Sequence, residues 1–134
     1  MNDVGHFYST LPRFHFDSIA NDNDARSKSI EQIIPPLTPS TREHPVPILL
    51  KGTQRTQKFN HPTEDDVLIY VALFRLDKYN VDIIFSCNIP VRTGNPATKT
   101  AGDQEVEVIT AAFEHTVNAF KIVDYSLFVE GSEN

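Results

Sequence analysis

The stretch from Asp65 to Val91 constrains this chain more than any other. Its first run, Val67 to Leu76, is apolar at both odd and even positions until Arg75. That pattern predicts a central strand covered on both faces. A polar break, Asp77-Lys78-Tyr79-Asn80, separates it from a second run that alternates. Val81, Ile83, Phe85, Cys87, Ile89 and Val91 point one way; Asp82, Ser86, Asn88 and Pro90 point the other, with Ile84 the exception. A hairpin centred on Lys78-Tyr79 pairs Phe74 with Ile83, Ala72 with Phe85, Tyr70 with Cys87 and Leu68 with Ile89. One face is then apolar throughout. On the other, Arg75 meets Asp82 in a cross-strand ion pair worth ~0.2–1 kcal/mol. A one-residue slip would turn Asp82 and Asn88 into the apolar layer, so the pattern pins its own register.

The remaining elements are read around that hairpin. Pro12-Arg-Phe-His-Phe-Asp17 alternates and predicts a strand, with Phe14 and Phe16 on one side. Asn21 to Lys28 reads as a polar turn or loop, and Ser29 to Ile34 as a short strand stopped by Pro35-Pro36. Prolines 36, 39, 45 and 47 make the next stretch a loop. Ile48 to Phe59 starts apolar and then holds few side chains to bury, which suggests an edge strand turned by Asn60-His61-Pro62. Residues Arg92 to Gly102 read as a flexible loop.

Asp103 to Lys121 carries the one strong helical signal. Val106, Ile109, Phe113, Val117 and Phe120 form a single stripe that should lie on the hairpin's apolar face. Asp103 can cap it, and Glu105 and Glu107 complement its dipole. Ile122 to Val129 is too apolar for a free tail and should dock on the body; Glu130 to Asn134 can fray. The fold class expected is α+β, a single domain over residues 1–134 with a mainly antiparallel sheet and a long C-terminal helix on it.

Composition narrows the function classes. A net charge of −6 argues against binding to a phosphate backbone, so no direct nucleic-acid role is expected. The single cysteine, Cys87, excludes an internal disulfide and fits a reducing compartment; its apolar parity predicts an inert thiol. No apolar run approaches the roughly 20 residues that span a bilayer, and the first residues do not read as a secretory signal.

Asp22-Asn23-Asp24 fails as a calcium loop because Ser27 and Ile33 stand at its sixth and twelfth positions. Asp65-Asp66 point to opposite faces of a strand and read as a solvated strand start. His6, His15, His44, His61 and His115 lack metal-site spacing. No catalytic constellation, metal site or cofactor motif emerges, which favours a binding or regulatory role over an enzyme.

Val71-Ala-Leu-Phe-Arg-Leu76 with Tyr79, Val81-Asp82-Ile-Ile and Asn88-Ile-Pro90 resemble the Ran guanine nucleotide release factor (Mog) family of nuclear transport. Phe120-Lys-Ile-Val-Asp124-Tyr-Ser-Leu-Phe128 is similar to the family's closing motif, and Arg13-Phe-His-Phe-Asp17 to an earlier one. The resemblance spans roughly residues 10 to 129 and rests on the order and spacing of these motifs. The resemblance takes up after the family's opening segment, which carries its Ran-facing acidic residues, so those residues are expected at no position of this sequence.

The resemblance implies an α/β/α sandwich of the PsbP-like kind. It further implies a protein that binds the small GTPase Ran, promotes guanine nucleotide release and supports nuclear import. Such a protein is not an enzyme and needs no cofactor or metal; it is expected to be a monomer in nucleus and cytoplasm, off the membrane. Asp17 and Asp124 match family positions, where partner binding competes with capping or turn roles. Arg75 and Asp82 match too and are read as structural first. A protein-binding scaffold of the same fold without release activity is the alternative, and a small-ligand site a third.

Overall fold

A strand that is apolar on both faces needs two covers, and this chain supplies one helix for each. The computed structural model describes residues 3–57, 64–93 and 100–128. Helix α1 (Asp3–Asp22) leads into strands β1 (Ala25–Ile34), β2 (Ile48–Thr56), β3 (Asp65–Leu76) and β4 (Val81–Arg92), and helix α2 (Asp103–Ala119) follows. The strands form one antiparallel sheet in the order β1-β2-β3-β4. The α+β class is as expected, with the layers helix, sheet, helix.

The hairpin has the register that its pattern demands. Phe74 faces Ile83, Ala72 faces Phe85, Tyr70 faces Cys87, Leu68 faces Ile89 and Arg75 faces Asp82. Odd-numbered Ile69 and Val71 join Leu50 and Phe16 in one core cluster, on the side of α1. Even-numbered Ala72 and Phe74 join Val117 in the other, on the side of α2, with Phe85, Phe113 and Phe120 packed against them. The stripe predicted for α2 is the face it buries. Phe120 lies 4.8 Å from Phe74 and 5.0 Å from Phe85, and the Thr110 hydroxyl donates to the Tyr70 hydroxyl at 3.0 Å.

Four expectations are corrected. Pro12 to Asp17 is part of α1, not a strand: Pro12, Phe16 and Ala20 are buried at a spacing of four, one face of a helix, while Phe14 is exposed. The polar stretch from Asn21 holds only a tight turn. Asn23 and Asp24 donate N–H bonds to Ile19 and Asn21, Asp24 takes a left-handed φ of 52°, and β1 starts at Ala25. Strand β2 is interior rather than an edge, paired with β1 and β3. Its inward positions are Ile48, Leu50, Gly52, Gln54 and Thr56. Finally, α2 is preceded by Gly102 as its cap, with Asp103 inside the first turn and Lys121 beyond the end.

Polar side chains tie these layers down. Buried Gln54 donates to the Phe16 carbonyl at 3.3 Å and accepts from Asn23 at 3.2 Å, so its amide costs little to bury. At the open end of the hairpin Asp66 accepts from Arg92 Nε at 2.6 Å and from Arg55 Nε at 2.9 Å. The Arg92 bond, then the Arg55 bond, hold its carboxyl below the usual carboxylate range. Asp66 is therefore a clamp rather than a merely solvated strand start. The Asn60-His61-Pro62 turn, the middle of the loop after Arg92 and the residues from Val129 onward lie outside the described residues.

Gly52 sets how close α1 comes to the sheet. A Cβ at this position would lie 2.6 Å from Phe16 Cε1 and 2.8 Å from the Ser29 carbonyl oxygen. Phe16 is fully buried and Ser29 is strand backbone, so neither can yield easily. Gly52→Ala is expected to destabilise the protein by about 1–3 kcal/mol, read from urea unfolding. An unchanged midpoint would mean that α1 lifts off the sheet without cost.

Candidate interaction site at the hairpin tip

The β3–β4 loop brings chemically rich side chains to one end of the sheet. Asn80 closes it in a left-handed conformation (φ 53°, ψ 46°), which a short polar side chain tolerates, and donates its N–H to the Asp77 carbonyl at 3.1 Å. Arg75 fans out over this turn. Its Nη1 donates to Asp82 Oδ1 at 2.8 Å, its Nε to Asp77 Oδ1 at 3.1 Å and its Nη2 to Asn80 Oδ1 at 2.5 Å. The bond to Asp82, above all, makes the guanidinium harder to deprotonate.

The other oxygen of Asp82 reaches α1, where it lies 3.1 Å from His15 Nε2. A carboxylate can only accept, so that ring nitrogen carries the hydrogen. The His15 and Asp82 side chains are only 17% and 18% exposed, which makes this a sheltered latch between helix and sheet.

The tail after α2 arrives at the same tip. Tyr79 stacks on Tyr125 with ring centroids 5.8 Å apart and lies 5.4 Å from Phe128. The Tyr125 hydroxyl donates to the Arg42 carbonyl in the proline-rich loop at 3.0 Å, and the Arg42 guanidinium lies 4.3 Å over the Tyr125 ring. The tail thus docks, as its apolar content predicts. A groove of about 510 Å³ runs between the proline-rich loop and the tip, lined by Pro39, Arg42, Arg75, Lys78, Tyr79 and Tyr125 among others.

The two residues singled out as partner contacts, Asp17 and Asp124, are both exposed but line different grooves. Asp17 faces the α1–β1 edge and pairs with Lys28 Nζ at 2.8 Å. Asp124 accepts from the Ser126 hydroxyl at 2.6 Å and from the Ser126 N–H at 2.9 Å, capping the short turn Tyr125–Leu127. The hydroxyl, then the N–H, hold its carboxyl below the usual range. Tyr125 belongs to the closing motif, but nothing in the sequence marks Arg42; their contact joins segments 83 residues apart, which no local pattern reports.

The site offers hydrogen bonding and ring surface rather than reactive groups. Burial pushes the Cys87 thiol up, away from nucleophilic thiolate. Among the described residues no group of three or more His, Cys, Asp or Glu side chains could hold a metal ion. No helix among them is long and apolar enough to cross a membrane.

Comparison with known proteins gives a consistent picture. A family model described as Ran-interacting Mog1 protein matches residues 6–90. A Ran guanine nucleotide release factor of Danio rerio is 28% identical over 123 residues, covering 87% of this chain and 67% of the relative. A probable ran guanine nucleotide release factor of Dictyostelium discoideum is 31% identical over 87 residues, covering 60% of this chain and 45% of that protein. The match to the latter therefore spans less than half of its length. No solved structure matches the chain.

Two measurements check this geometry. Asp82→Ala strips partners from both Arg75 and His15 and should cost about 1–3 kcal/mol of stability. His15→Ala should then cost less in that background than alone, and additive effects would dissolve the latch. For Asp124, a depressed folded pKa means that its turn is stabilised above the ordinary carboxylate value and loses that support as pH falls through the folded one. Carboxyl NMR should show the Asp124 midpoint below that of a free aspartate, moving upward in Ser126→Ala.

Proposed function

The chain belongs to the Ran-interacting Mog1 protein family, and from that premise we propose that it binds the small GTPase Ran and promotes release of its guanine nucleotide. The observation that carries this reading is the family match over residues 6–90, which takes in α1 from His6, β1, β2, β3 and most of β4. The names of both relatives support the release step.

Release of this kind needs no bond chemistry, and the protein acts as a binder rather than an enzyme. A protein that prefers nucleotide-free Ran lowers the affinity of Ran for nucleotide by the same factor. A hundredfold preference corresponds to about 2.7 kcal/mol of coupling, within the usual range for linked sites. Rigid presentation of side chains serves that end, and the latch from His15 through Asp82 to Arg75 gives the hairpin tip a fixed geometry.

Exposed Asp17 and Asp124 are the carboxylates offered to basic side chains of Ran; Asp17 must share or release Lys28 to do so. The protein acts as a monomer, without nucleic acid or membrane, in nucleus and cytoplasm, where release serves nuclear import.

The test is release of a fluorescent guanine nucleotide from loaded Ran, with the chain first shown to be folded by its thermal melt. Acceleration that rises with protein concentration is expected, reduced severalfold in Asp17→Asn or Asp124→Asn. Binding to Ran without acceleration would leave the interaction and remove the release step. Neither binding nor acceleration by a folded chain would overturn the reading.

A further inference from the structure

We propose that Arg42, held on Tyr125, forms a docking site for a protein segment that sets a carboxylate beside aliphatic side chains. Arg42 plays no part in the Ran reading above, and the site would serve whichever protein carries such a segment.

Arg42 is unusually well held for an exposed arginine. Its guanidinium lies 4.3 Å over the Tyr125 ring, while the hydroxyl of that same ring binds the Arg42 carbonyl. Tyr125 in turn stacks on Tyr79. The loop around Arg42 is braced by its own polar groups: His44 N–H donates to Thr41 Oγ1 at 3.0 Å, Thr41 N–H to the His44 carbonyl at 3.1 Å and Val46 N–H to Ser40 Oγ at 2.9 Å. Much of the entropy that a flexible arginine loses on binding is therefore already lost in the free protein.

Its charge is nonetheless uncommitted. Among the described residues no carboxylate pairs with the Arg42 guanidinium. Asp124, which lines the same groove, is engaged by Ser126.

The surroundings say what kind of partner fits. Arg42 and Tyr125 line both the 510 Å³ groove and a second, more open one of about 720 Å³. Val123 and Leu127, which flank Tyr125 in sequence, are 91% and 80% exposed. Arginine and tyrosine are residue types enriched at interface hot spots, and here they stand beside open aliphatic surface.

A polyanion is disfavoured, because Glu43, Asp77 and Asp124 share these grooves with Lys78 and Lys121, Arg75 is already paired with Asp77 and Asp82, and the whole chain carries −6. A single planar guanidinium suits one carboxylate bonded through two N–H groups. The valine and leucine then require aliphatic neighbours on the partner. An acidic, leucine-bearing segment meets both demands.

The experiment is an NMR titration of the full ¹⁵N-labelled chain with a blocked peptide of alternating glutamate and leucine. Expected are shifts at the Arg42 Nε–H and at the amides of Val123, Tyr125 and Leu127. Affinity should fall at least about tenfold in Arg42→Gln and fall in part in Arg42→Lys, which keeps charge but loses the fork. Arg26→Gln, an exposed arginine on β1, should leave it unchanged.

Four results would each overturn the proposal: shifts confined to other surfaces, equal binding of the glutamine-for-glutamate peptide, full affinity in folded Arg42→Gln, or no binding at millimolar peptide. Tighter binding of a phosphoserine peptide than of the glutamate peptide would also overturn it, by assigning the site to phosphate. Should Arg42→Gln fail to fold, the Arg42 Nε–H shift in the unaltered chain and the Arg42→Lys affinity decide.

Discussion

Water must be kept from both faces of β3, and most of the architecture follows from that requirement. Leucine, isoleucine, valine and phenylalanine occupy both parities from Val67 to Phe74. Exposing either set would forfeit roughly 1.5–3 kcal/mol for each large side chain. The chain answers with α1 over Ile69 and Val71, and with α2 over Ala72 and Phe74. Strands β2 and β4 flank β3 and satisfy its backbone on both sides. Arg75 is the first residue after Val67 to break the apolar run, and it does so where the sheet ends and the tip begins.

How much of this was legible depends on whether the signal is local. The β3–β4 register and the buried stripe of α2 can be read because each rests on a local pattern, the alternation of Val81 to Val91 broken only at Ile84 and the three-four spacing along α2. The sequence of α1 imitates a strand, because Phe14-His15-Phe16 alternates like one and Pro12 argues against a helix interior. What decides it is the spacing from Pro12 to Phe16 to Ala20, together with a fully buried Phe16. Strand β2 looks like an edge for a different reason. Gln54 and Thr56 count as solvent-facing by type, yet they are buried, and Gln54 is so because Asn23 and the Phe16 carbonyl satisfy its amide. A residue type cannot announce partners that arrive from another element.

The same limit explains the candidate site. Its ingredients lie in four separated stretches: His15, Arg42, the turn from Arg75 to Asp82, and the tail from Asp124 to Phe128. Only the turn is contiguous, and only its Arg75–Asp82 pair followed from sequence. The motifs that carry the family resemblance meet here, through His15 on Asp82 and Tyr125 on Tyr79. Arg42 joins them from a loop whose prolines gave no hint beyond irregular structure.

A sheltered ion pair at the end of an otherwise apolar hairpin also calls for a physical reason. Taking Arg75 and Asp82 partly out of water costs much of what their attraction returns, so the pair adds little net stability. An apolar pair in their place would extend the hydrophobic strand to the tip and would tolerate a shift of one residue. With Asp82 present, that shift would drive a carboxylate into the layer of Phe74, Phe85 and Phe120. His15 adds a second condition, because Asp82 must face α1 to be reached at 3.1 Å. The pair therefore selects one register and one docking of the helix, and the tip where the tail and the proline-rich loop converge inherits its geometry from that choice.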